Sequence, residues 1–143
     1  NGASRDATSF GLTPEQFRDW VAPYDIQVLA AAPSLVRIAH LHGEDADPEL
    51  IADYPVEVLS WSDKASAPTI PEAASHYGWV PMVGIDELTS LYWTPSEAVA
   101  HVIQARRAAG DRLIVAPNCT LHSDINPLTL VGLRRGVDVA LTY

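Results

Sequence analysis

Four capping residues in this chain are each followed at once by proline: Thr13-Pro14, Asp47-Pro48, Thr94-Pro95 and Asn126-Pro127. A side-chain oxygen at such a position accepts from the orphan amides of a first helical turn. Proline just inside gives up an N–H that had no partner there. Each pair therefore predicts a helix start, and Thr13 with Gln16 and Thr94 with Glu97 are capping boxes as well. The helices expected are 14–32, kinked at Pro23, then 48–53, 95–109 stopped by Gly110, and 127–136, with a weaker one over 71–76.

Between these starts lie short apolar runs, 35–40, 56–61, 80–85 and 113–116, bounded by proline, glycine or aspartate. They are too short for helices. All but one are nearly continuous, the pattern of parallel strands covered on both faces, with Arg37 the visible exception. Helix and strand alternate throughout, which predicts an α/β fold of about four β/α units joined by right-handed crossovers on a parallel sheet. At 143 residues the chain suffices for a single domain, and it falls short of the ~250 residues of a closed eightfold β/α barrel.

Nine basic side chains face eighteen acidic ones, a net charge of −9, which argues against nucleic acid or an anionic membrane surface as a partner. The single cysteine, Cys119, forms no internal disulfide. It points to a reducing, cytoplasmic setting in which the thiol is packing, ligand or nucleophile. Apolar stretches are cut well below the ~20 residues that cross a bilayer. The first residue is Asn1, the only methionine is Met82, and the first dozen positions carry no basic-then-apolar leader. The sequence is therefore expected to be a piece of a longer chain.

In parallel β/α folds, ligands gather at the carboxyl ends of the strands. Here those ends read His40-Leu41-His42-Gly43-Glu44-Asp45, Trp61-Ser62-Asp63, Gly84-Ile85-Asp86-Glu87 and Asn118-Cys119-Thr120-Leu121-His122-Ser123-Asp124, while the opposite ends look like ordinary connections. Alternate strand residues point the same way, so His40 and His42 are expected to present two imidazoles to one side. With Cys119 they make a three-ligand zinc set whose fourth position stays open for water or a substrate thiol. The competing reading makes Cys119 a small buried hydrophobe and the histidines backbone partners.

Asp63, Asp86 and Glu87 are candidates for acid, base or hydrogen-bonding work; the alternative for the two aspartates is that they cap turns. Trp61 is a candidate to stack on a flat ligand or cofactor, or else core. His122 is a substrate or cofactor contact, or a solvated loop histidine. His76 and His101 fall in helical stretches and are expected to be structural, away from that face.

The strand end His40-Leu41-His42-Gly43, the segment Val56-Glu57-Val58-Leu59-Ser60-Trp61, the Gly84-Ile85-Asp86 turn, the Thr94-Pro95-Ser96-Glu97 helix start and Leu113-Ile114-Val115-Ala116-Pro117-Asn118-Cys119 followed by Asp124 together resemble the C-terminal half of the uroporphyrinogen decarboxylase superfamily. The resemblance covers nearly the whole chain in the right order. It implies a (β/α)8 TIM barrel of which this chain supplies about the last four units. The decarboxylase itself carries a histidine in a Gly-His-Gly turn at the last strand, where this chain has Asn118-Cys119-Thr120. The cobamide-dependent and coenzyme M methyltransferases place His-x-Cys at the earlier strand end and Cys at the last one, holding zinc that activates a thiol.

Cys119 matches the last cysteine of that pattern and His40 the histidine, while His42 stands where the middle cysteine would be. The resemblance thus implies a zinc site at His40, His42 and Cys119, a corrinoid as possible methyl donor, a small-molecule substrate and a corrinoid protein as partner. Imidazole in place of a thiolate leaves the site one negative charge poorer, so the metal should be a better Lewis acid. Three other readings stay open. One is decarboxylation of a porphyrinogen, which needs cations for many carboxylates. Another is a half-barrel inactive alone, pairing with itself or with a missing N-terminal half. The third is a complete flavodoxin-like domain, although no glycine-rich loop follows the first strand.

Overall fold

A computed structural model describes residues 12–142; residues 1–11, read above for a leader pattern, lie outside them. Each cap-proline pair starts a helix. Thr13 opens α1 (Pro14–Trp20) and Thr94 opens α4 (Pro95–Ala109), each through a reciprocal capping box. Asn126 accepts from the Leu128 amide at the start of α5 (Pro127–Ala140), and Asp47 caps a short 3-10 turn, Pro48–Ile51. The expected kink at Pro23 is a break just before it. α1 ends at Trp20 and α2 (Ala22–Ala30) takes Pro23 into its first turn, where the missing N–H costs nothing. The helix read as weak is α3 (Ile70–Ser75), and it has a capping box of its own, Thr69 with Glu72.

The strands are β1 (Ile38–His40), β2 (Val58–Ser60), β3 (Val80–Ile85) and β4 (Ile114–Pro117), all parallel in the order β1-β2-β3-β4. His40 lies opposite Ser60, Ser60 opposite Met82 and Met82 opposite Ile114. In a sheet whose strands follow in sequence order, right-handed crossovers put every connecting helix on one face. The helices therefore lie on one face of the sheet, as half of a barrel requires. Leu59 and Val83 are fully buried on the helical side, whereas Ile38 and Ile114 on the other are 50% and 40% exposed. The unbroken order also corrects the flavodoxin-like reading, because a doubly wound sheet reverses its strand order at a switch point. The architecture is half of a TIM-barrel-like α/β fold.

Two apolar clusters hold the helices down. One gathers Phe17, Leu41, Leu59, Trp61, Trp79 and Val83; the other gathers Ile85, Trp93, Ala98, Val102 and Leu133. α5 runs past Gly136, where the sequence reading ended it, because that glycine is a packing residue. A Cβ there would lie 2.8 Å from the Val102 Cβ, and one at Gly132 would lie 2.5 Å from the Pro95 carbonyl oxygen. α5 can sit this close to α4 only with bare backbone at both positions.

Candidate metal centre

The pairing of β1 with β2 continues one residue beyond the strand: the Leu41 N–H donates to the Ser60 carbonyl at 2.9 Å. That extra rung keeps the alternation, so Leu41 goes into the core and His42 follows His40 to the other side. Gly43, at φ 96°, then turns the chain away with a backbone that a side chain would strain. At the far side of the sheet, the Asn118 N–H donates to the Ile85 carbonyl at 2.9 Å, and its buried side-chain oxygen accepts from the Gly84 amide at 3.2 Å. Both bonds pin the residue just before Cys119.

The two ends meet. One donor atom from each of His40, His42 and Cys119 lies within 4.8 Å of the others, and the Cys119 Sγ is 3.5 Å from the His42 Nδ1. The edge between sulfur and nitrogen in a tetrahedral zinc site is about 3.5 Å, given metal bonds of roughly 2.3 and 2.0 Å. The donor set fits such an ion, and the cluster needs only to draw in by about 1 Å. Burial of the His40 ring, helped by the neighbouring His42, lowers its pKa below the usual imidazole value, against a pull upward from Glu87. Only the neutral ring has a lone pair to give. Its Nδ1 lies 3.1 Å from the Ser60 hydroxyl on the adjoining strand.

Other candidates go elsewhere. The Asp63 side chain is only 2% exposed, with Oδ2 3.0 Å from the Lys64 ammonium and Oδ1 buried without a hydrogen-bond partner among the described residues. Asp86 is engaged as a turn cap, accepting from the Leu88 amide at 2.9 Å and the Thr89 hydroxyl at 2.7 Å. Both aspartates belong to the surroundings of His101, which stacks on Trp93 with ring centroids 3.8 Å apart. His101 therefore sits beside residues of the strand-end loops, a correction to its expected place away from them. His76 stands edge-on to Tyr77 at the end of α3.

Trp61 is wholly buried in the core and its Nε1 donates to the Pro68 carbonyl at 2.8 Å. No face of it is open to stack on a ligand. His122 is exposed, takes the Asp124 amide on Nδ1 at 3.4 Å and lies outside the His/His/Cys group. The carboxylate that does act on His40 is Glu87, which accepts from the Ser62 hydroxyl. Neither serine stood out in the sequence. The available signal was the alternation of 58, 60 and 62 along β2 and just past its end, which becomes informative only with the register to β1.

Arg37, the one cation within an apolar run, lies at the amino end of β1, opposite the site. Its backbone N–H and Nε bond Glu57 at 2.8 and 3.2 Å, and the guanidinium holds that carboxyl down to about 2. Among the described residues no helix is long and apolar enough to cross a membrane.

No family model matches the chain, and no curated protein does. Among solved structures, a methyltransferase from Methanosarcina mazei is similar in fold, with a TM-score of 0.71 and 21% identity. The match covers 96% of this chain and 40% of that one. The chain thus spans well under half of the length of that structure.

Proposed function

We propose that this chain is the metal-bearing part of a zinc-dependent, methyltransferase-like enzyme that moves a methyl group from a corrinoid or another donor to a thiol. The observation that carries the reading is the meeting of His40, His42 and Cys119 at the carboxyl rim of the sheet. The fold shared with the methyltransferase is consistent with it. Two neutral nitrogens and one thiolate leave a fourth position for a substrate sulfur. Zinc held there would supply Lewis acidity, so that a thiol is deprotonated at neutral pH.

The chain's own residues supply the rest. β1 and β4 aim the three donors, and Glu87, oriented by the Ser62 hydroxyl, is assigned to accept the proton that the thiol loses. With zinc held by His40, His42 and Cys119, such a sulfur would form its bond to the methyl carbon as the bond from that carbon to the donor breaks, the electron pair staying with the donor. With one anionic ligand instead of two, the sulfur is less electron-rich, which favours an activated donor such as a methylcorrinoid. Decarboxylation of a polycarboxylate gains no support from the described residues, since Arg37 sits at the wrong end and Lys64 is tied to Asp63.

The test is metal analysis of the natural full-length protein beside His42→Ala and Cys119→Ala, together with transfer from methylcobalamin to a small thiol followed by the corrinoid spectrum. One zinc per chain in the parent, lost with the transfer in both variants, is the expected result. A parent free of stoichiometric zinc, or transfer unchanged in both variants, would overturn the reading.

A further inference from the structure

We infer that Ser60 is a positioning residue that fixes which nitrogen of His40 faces the metal, so that the two imidazoles bind through different atoms: His40 through Nε2 and His42 through Nδ1. The inference rests on the metal reading above and adds the ligation mode. Its basis is geometric. Ser60 is the register partner of His40 across β1 and β2, it is only 7% exposed, and its hydroxyl oxygen lies 3.1 Å from the His40 Nδ1. A neutral imidazole carries one N–H and one lone pair, and a bond that holds the N–H at one nitrogen presents the lone pair at the other. With Nδ1–H donating to Ser60, Nε2 is the ligand atom of His40.

His42 is held the other way. Its Nδ1 is the atom 3.5 Å from the Cys119 sulfur, a ligand edge of a tetrahedral site. That nitrogen faces the sulfur, and His42 lies one residue beyond the last β1–β2 rung at Leu41. The rings, with centroids 6.0 Å apart and planes tilted by 45°, are therefore not two copies of one ligand. His40 is held by Ser60 on the neighbouring strand, and His42 already stands at ligand-edge distance from the sulfur. Hydrogen bonds of this kind orient a metal-binding imidazole, and their loss typically costs 10- to 100-fold in affinity.

The experiment compares the full-length parent with Ser60→Ala and Ser60→Thr, using zinc alone as the probe in competition with a chromophoric chelator. Long-range proton–nitrogen NMR of the zinc-loaded parent reads which ring nitrogen carries hydrogen. Expected are a roughly 10- to 100-fold loss of zinc affinity in Ser60→Ala, rescue by Ser60→Thr, and hydrogen on Nδ1 of His40 and on Nε2 of His42. Affinity unchanged in a folded Ser60→Ala, or both rings protonated at the same nitrogen, overturns this inference and leaves the metal site standing. A parent that binds no stoichiometric zinc overturns both. Should Ser60→Ala fail to fold, the NMR of the parent decides alone.

Discussion

His101 shows how a single side chain joins stability to pH. Burial pushes its imidazole pKa below the usual value, with Lys64 adding to the shift and Asp86, Glu97 and Asp63 opposing it. The unfolded chain therefore takes up this proton before the folded one does as pH falls. The stability carried by the neutral ring is complete above about pH 6.5 and is lost as pH drops through the lower folded value. His101→Phe keeps a ring on Trp93 and removes the titration. The fall in Tm between about pH 7.5 and pH 5.5 is expected to be smaller in this variant than in the parent; equal falls in the two proteins would discard the argument. Residue chemistry was only partly legible in the sequence. The alternation of His40 and His42 is a property of any extended strand, so it could be read before the fold was known. The neighbourhood of His101 could not, because a helix position does not say which loops arch over it. The same holds for Glu87, whose charge bears on His40 only once the fold has brought the two loops near each other.

At the level of elements, local rules carried most of the information. A capping box is made by residues three apart, so Thr13, Thr69 and Thr94 needed no tertiary contact to set their helices. Thr94→Ala is expected to cost about 1 kcal/mol, measured by urea unfolding, with α4 retained by its packing on α5. Glycine in α5 reads the opposite way from its local signal. In an exposed helix interior, replacing glycine by alanine gains up to ~1 kcal/mol. At Gly136 the new Cβ would stand 2.8 Å from the Val102 Cβ, and at Gly132 it would meet the Pro95 backbone oxygen at 2.5 Å. Overpacking of this kind costs about 1–3 kcal/mol, so the net sign turns destabilising. Gly132→Ala should lose more than Gly136→Ala, since a backbone carbonyl yields less readily than a side chain. A stabilised Gly136→Ala would show that α4 and α5 separate easily. Glycine near a helix end carries the same sequence signal whether it stops the helix or lets another one approach, which is why α5 was read four residues short.

For the molecule as a whole, continuous apolar strands predict burial on both faces without saying what does the burying. Helices on two sides and helices outside with a closed barrel inside leave the same pattern, and only the strand order separates them. Here the order is sequential, and the face away from the helices keeps Ile38 and Ile114 half exposed at its two edges, with Leu35 and Val36 exposed just before β1. Edges and apolar surface of this kind favour pairing with another sheet. A net charge of −9 opposes the approach of a second copy, but that repulsion is screened while apolar burial is not. The screening length falls from about 14 Å at 0.05 M salt to about 4 Å at 0.5 M. The 143-residue chain on its own is therefore expected to self-associate more strongly as salt rises, read as an increase in weight-average mass by sedimentation equilibrium. Association driven by charge pairs would move the other way, weakening with salt. A chain monomeric at every ionic strength would mean that the exposed edge residues do not drive pairing. Ile38→Asp with Ile114→Asp tests the assignment directly: placed on the exposed face, both substitutions should restore the monomer at high salt while leaving the helical cores, and the helix content seen by circular dichroism, intact.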